Sequence, residues 1–147
     1  MVRLVHPLAG VLALATIGLF WTATVSVELL GTTAQVAAVK GAIPWGFLVL
    51  IPALIVTGGS GSWLARGRRS GLLSTKQRRM KMIAANGLLV LVPSALWLAA
   101  SAAQGRFDGL FVAVQALELA AGALNITLLS LNMRDGLRMT GRRPAKR

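Results

Sequence analysis

Apolar residues gather into four blocks along the chain: Leu8–Leu30, Ile43–Ala65, Met82–Gln104 and Gly109–Met133, each 23 to 25 residues long. As α-helix a block of that length covers about 34–38 Å at ~1.5 Å per residue. A hydrocarbon core is about 30 Å thick, so each block is long enough to span it with some tilt. None shows the period-two alternation of a membrane β-strand. A backbone in lipid must satisfy its own hydrogen bonds, so four such blocks predict four helices. The pattern predicts an all-α, integral membrane four-transmembrane-helix bundle in one domain over residues 1–136, running up-down-up-down. Its helices are expected at about 8–30, 43–65, 75–104 and 109–133, with a basic tail over 137–147.

Local signals place the ends. Ser74-Thr75-Lys76-Gln77 fits a capping box, which predicts that the third helix starts near Thr75, ahead of its apolar block. Gly105 suits a left-handed helix terminus and Asp108 the following N-cap, so the third and fourth helices form a tight antiparallel pair. Gly31 and Gly136 are expected to close the first and fourth helices. Pro52 and Pro93 lie mid-span and predict kinks. Thr57-Gly58-Gly59-Ser60-Gly61-Ser62 lacks the Lys-Ser/Thr of a P-loop. Ending the second helix at Thr57 would leave it about 22 Å long and too short to cross, so these glycines are expected at helix contacts.

Charge gives the direction. Sixteen Lys/Arg oppose four Asp/Glu, and the net charge is +12. Fourteen of the basic residues lie before the first block, between the second and third, or after the fourth. Only Lys40 and Arg106 fall in the other two connections. The positive-inside rule then puts the N-terminus, the C-terminus and the middle connection in the cytoplasm. Arg66, Arg68, Arg69, Lys76, Arg78, Arg79, Lys81, Arg138, Arg142 and Arg143 are expected to contact anionic lipid headgroups. No aromatic is interleaved among them, so nucleic acid is not an expected partner. The uncharged run from Leu8 to Val27 is longer than a signal-peptide core, so the first helix is expected to be retained.

Composition narrows the chemistry. With 55% hydrophobic residues, 14% charged and no Cys, the chain is neither a disulfide scaffold nor a thiolate metal site. The single His, His6, is a weak candidate haem ligand, with Met80, Met82 or Met133 as the other axial ligand. The same residues have the softness for Cu(I), but Met80 and Met82 fall on different sides of a helix. No cofactor is expected. No buried His stands beside a Ser and an acid, and an enzyme is not expected either.

The polar stripe of the fourth helix stands out. Gln115, Glu118, Gly122, Asn125, Leu129 and Asn132 are spaced 3, 4, 3, 4 and 3 apart and share one face. Glu118 lies about 15 Å inside the span. A carboxylate facing lipid there is costly, so the stripe is expected to face the bundle interior or a subunit interface. Asn86 and Trp97 on the third helix complete the expected intramembrane set. Trp21 or Trp97, and Ser94 or Thr24, are the expected donors to Glu118. Glu28 is expected to pair with Lys40 or Arg106 on the external surface.

The strings His6-Pro7-Leu8-Ala9-Gly10, Ile83-Ala84-Ala85-Asn86-Gly87, Gln115-Ala116-Leu117-Glu118 and Asn132-Met133-Arg134-Asp135-Gly136 resemble a group of uncharacterised bacterial four-helix integral membrane proteins. The likeness covers nearly the whole chain and implies topology and a bacterial inner membrane, but no activity. With those strings placed on the helices, Asn86 and the Asn132–Gly136 segment are expected to line a cytoplasmic vestibule below Glu118.

Three function classes follow. The first is a non-enzymatic accessory or binding component of a membrane assembly, with a second copy or a larger complex as partner. The second is a small proton- or cation-coupled transporter using Glu118, loosely analogous to small multidrug carriers. The third is a haem or quinone electron-transfer subunit.

Overall fold

The computed structural model describes residues 2–65 and 71–141. The headgroup contacts expected of Arg66, Arg68, Arg69, Arg142 and Arg143 lie outside them. The order is α1 (Val2–Leu30), α2 (Thr33–Ala65), α3 (Gly71–Asn86), a π-helical turn (Gly87–Leu91), α4 (Val92–Ala103) and α5 (Gly109–Gly141). Through the π turn, α3 and α4 form one rod, so the described residues include four helices long and apolar enough to cross a membrane.

Helix ends differ from the sequence expectation in one direction: the helices run longer. α1 begins at Val2, with Pro7 inside it. α2 begins at Thr33 rather than Ile43, because Thr32 and Gln35 form a reciprocal capping box. The Thr32 N–H donates to Gln35 Oε1 at 2.8 Å and the Gln35 N–H to Thr32 Oγ1 at 3.4 Å. The box expected at Ser74 does not form. α3 already starts at Gly71, whose carbonyl accepts from both Ser74 Oγ and Thr75 Oγ1. α5 runs through Gly136 to Gly141. Pro93 sits at the start of α4, directly after the π turn, where its missing N–H is absorbed. Pro52 lies within an unbroken α2.

Both short links follow from local chemistry. Gly31 and Thr32 alone join α1 to α2. At the other hairpin Gly105 has φ +68°, and its N–H and that of Arg106 donate to the Ala102 and Ser101 carbonyls, closing a Schellman motif. Asp108 Oδ1 then accepts from the Phe111 N–H at 2.9 Å and caps α5. These links define a hairpin end; the termini and the 65–71 connection define a basic end.

The helices close into a ring. α1 packs on α2 and α5, and α4 packs on the same two, while α2 and α5 face each other across the diagonal without packing directly. α1 and α2 approach closely at Gly46, where a Cβ would lie 2.0 Å from Phe20 Cζ. Buried apolar residues form two clusters. Val36, Leu98, Ala102 and Phe111 fill the hairpin end, and Ala13, Ile17, Leu50, Ala53, Ile83, Leu128 and Leu129 fill the middle. The outer surface is also apolar, with Leu4, Leu30, Leu48, Leu89 and Leu110 exposed, while Lys40, Gln115, Asn125 and Asn132 are buried. Such a distribution suits surrounding hydrocarbon better than water.

Candidate functional site

The chain has a polar interior, and the stripe of α5 organises it. Gln115, Asn125 and Asn132 are buried and Glu118 is half-buried, all turned into the ring. The largest departure from expectation is Lys40. It lies within α2, is 0% exposed, and its Nζ donates to Glu118 Oε2 at 2.5 Å. Glu28 remains exposed at the hairpin end and forms no ion pair with Lys40. The pair spans the diagonal between α2 and α5, which only a long side chain could do. Extending α2 back to Thr33 puts Lys40 two turns inside the helix, where the ring, not solvent, receives it.

Gln115 completes this polar layer: its Nε2 donates to the same Oε2 at 3.3 Å. Its own Oε1 is buried without a partner among the described residues, as is Ser101 Oγ. Flipping the amide would aim a carbonyl at a carboxylate, so the unmet acceptor belongs to this arrangement. Glu118 Oε2 thus takes both bonds, and Oε1 accepts none from the described residues. Among the described residues none of the expected donors, Trp21, Trp97, Ser94 or Thr24, bonds Glu118. Trp21 Nε1 donates to the Leu119 carbonyl at 3.0 Å. Trp97 packs half-buried against the hairpin cluster.

Immediately on the basic side of this layer is a partly open cavity of about 60 Å³ to which all four rods contribute. Phe20, Trp21, Thr24, Phe47, Leu91 and Glu118 are among its walls. Gly122 lets Trp21 lie across α5; a Cβ there would come within 3.1 Å of Trp21 Cδ1. The π turn supplies Leu91, an example of irregular helix at a cavity wall.

Deeper toward the basic end, the Asn side chains make contacts between helices, with Asn132 Oδ1 buried and unpartnered among the described residues. Asn86 Nδ2 donates to Asn125 Oδ1 and to the Ala121 carbonyl, both at 2.9 Å, and Asn125 Nδ2 reaches the Ile83 carbonyl at 3.4 Å. Asn132 Nδ2 donates to the Lys76 carbonyl at 3.4 Å. His6 Nδ1 lies 3.1 Å from the Thr57 carbonyl and 3.0 Å from Ser60 Oγ, so His6 ties α1 to α2 beside the glycine run. A Cβ on Gly61 would stand 3.1 Å from His6 Cε1. Met80 packs on the middle cluster, whereas Met82 and Met133 are exposed.

Among the cations expected at headgroups, Arg79 is instead committed within the protein, with Nη1 2.7 Å from Asp135 Oδ2. Arg78, Lys81 and Arg138 are exposed, and half-buried Lys76 lies against Gly136, where a Cβ would meet its Nζ at 3.2 Å. Sequence reasoning missed Lys40 and the pairing of Arg79; Thr32-x-x-Gln35 was the signal that could have moved Lys40 into a helix. No family model, curated protein or solved structure matches the chain.

Proposed function

We propose that this protein is a non-enzymatic binding component of a bacterial inner membrane, holding a small, largely apolar ligand in the cavity beneath the Lys40–Glu118 pair. The observation that carries the reading is that one cavity is walled by all four rods and has a single acid at its edge. Lys40 compensates the acid, so the site is neutral at rest, and its remaining surface is aliphatic and aromatic apart from the Thr24 hydroxyl, the usual make-up of a small-molecule pocket. Lys81, Arg78 and Arg138 support the orientation with both termini in the cytoplasm, facing anionic headgroups. A second copy or a larger complex is the partner in this reading.

Two experiments test it. Purification from native membranes into nanodiscs, followed by mass spectrometry, is expected to retain a small molecule on the native chain and to lose it on Ala95→Leu, which fills the cavity. Identical contents in both would defeat the binding reading. The chain has no Cys, so single substitutions report topology cleanly. Gln104→Cys is expected to react with an impermeant maleimide from outside the cell and Ser70→Cys only after lysis.

The carrier reading is kept because Glu118, at the cavity edge, has an Oε1 that is unpartnered among the described residues. Under it, Glu118→Gln abolishes proton-coupled uptake in vesicles; under the binding reading no uptake is seen in either chain.

A further inference from the structure

The cavity is asymmetric in what it offers a ligand. Both hydrogen bonds to Glu118 end on Oε2, while its side chain, 12% exposed, lines the cavity with Oε1 bonded to none of the described residues. Trp21, the nearest aromatic donor, already spends its N–H on the Leu119 carbonyl. The site therefore presents an acceptor at Glu118 Oε1; besides the Thr24 hydroxyl, the walls are aliphatic and aromatic and offer contact area.

Charge decides the class of ligand. Lys40 and Glu118 together carry no net charge, whichever of the two holds the proton. An organic cation entering beside them would leave one positive charge uncompensated in a low-dielectric interior, and an anion would meet the carboxylate. A neutral molecule with one O–H or N–H donor adds no charge and satisfies Oε1. The volume of about 60 Å³ holds roughly four waters, which fits a polar head and its first few carbons, with the remaining chain leaving through the open side.

We infer that the cavity takes an uncharged, chain-like amphiphile with a single hydrogen-bond donor, an alcohol in the simplest case, whose hydroxyl donates to Glu118 Oε1. The inference rests on the binding reading above and adds the chemistry of the ligand.

Three matched probes separate the possibilities: 6-bromohexan-1-ol, its methyl ether, and 6-bromohexylammonium. Bromine quenches indole emission at short range. The reporter chain keeps Trp21 and carries Trp45→Phe, Trp63→Phe and Trp97→Phe; a second chain keeps only the exposed Trp45 as a gauge of bulk partitioning. Both are studied in phosphatidylcholine nanodiscs. Relative to Trp45, the alcohol is expected to quench Trp21 at about tenfold lower concentration than the ether, the strength of a hydrogen bond to a charged group. The ammonium is expected to do no better than the ether.

The double variant Lys40→Met/Glu118→Leu, made in the reporter chain, keeps the site neutral and folded where a single change risks unfolding. It is expected to lose the preference for alcohol over ether. An ether equal to the alcohol, a preferred ammonium, or a preference that survives the double variant overturns the ligand class while leaving a binding cavity. Trp21 quenched no more than Trp45 by every probe overturns the inference together with the binding reading.

Discussion

Lys40 and Arg79 each hold an acid of α5, one in each half of the bundle, and their surroundings set different terms. In the hairpin half, Lys40 is fully buried, reaches across the ring to a helix whose backbone lies apart from that of α2, and is the only cation among the described residues paired with Glu118. In the basic half, Arg79 bridges neighbouring helices, is about one-fifth exposed, and shares Asp135 with Arg134, whose Nε lies 3.9 Å away. Among the described residues no second cation pairs with Glu118, and Glu28 attracts Lys40 without forming an ion pair with it. The Arg79 pair sits in a field of spare cations that water and salt can reach. Ion pairs of the same chemistry therefore act as a fixed structural element at one end and as one of several interchangeable contacts at the other.

The largest consequence is at Lys40. Lys40→Met leaves Glu118 without its cation and is expected to cost about 3–5 kcal/mol, as removal of one partner from a buried pair does. Lys40→Met/Glu118→Leu is expected to recover most of that loss, since an apolar replacement of the whole pair is often neutral or stabilising. Reversible unfolding in mixed micelles, run as a double-mutant cycle, measures both. Additive losses would show that the pair does not act as a unit and would erase the contrast between the halves.

Packing should divide the same way. Gly46→Ala drives a methyl into Phe20, and overpacking of this kind typically costs about 1–3 kcal/mol. Trimming the obstruction with Phe20→Leu in the same chain is expected to recover the loss. Gly61→Ala at the basic half meets only the His6 ring edge at 3.1 Å. There the strain is offset by the ~1 kcal/mol helix preference of Ala over Gly, and the net change is expected within about 0.5 kcal/mol. Equal losses at the two glycines would mean that α1 and α2 are held equally tightly along their whole length.

Between the halves, the Asn86–Asn125 contact is the intermediate case, polar but uncharged. Asn86→Leu removes two donated bonds and is expected to cost about 0.6 kcal/mol, at most ~1.7, the range measured for hydrogen bonds between membrane helices. A loss rivalling that of Lys40→Met would make this layer, and not the ion pair, the organising contact of the interior.

How much of this the sequence revealed depended on whether the signal was local. The apolar blocks, the Gly105–Asp108 hairpin and the inward face of the α5 stripe were legible because each follows from spacing or a cap within a few residues. Lys40 was not, since a charge outside an apolar block reads as a loop charge, and only the capping box at Thr32 betrays the nearly three extra turns of α2. Its partner was further out of reach, because which acid it meets depends on the ring order of the helices and nothing local encodes that. Arg79 shows the converse error. A basic residue among basic neighbours reads as a headgroup contact, and only the register of α3 against α5 singles it out for Asp135.

The smallest effect belongs to that last pair and completes the comparison. Arg79→Met removes the shorter contact to Asp135 but leaves Arg134 on the other carboxylate oxygen. The loss should therefore fall well below that of Lys40→Met in the same micelles. It should also shrink as salt is raised from 50 to 500 mM, because partly exposed charges are screened over about 10 Å at 0.1 M and a few Å at higher concentration. The Lys40 cycle, whose cation is fully buried, should move less with salt. If Arg79→Met is as costly as Lys40→Met and no more sensitive to salt, Asp135 is as isolated from alternatives as Glu118. The asymmetry between the ends of the bundle would then be one of position only, without a difference in the physics of the pairs.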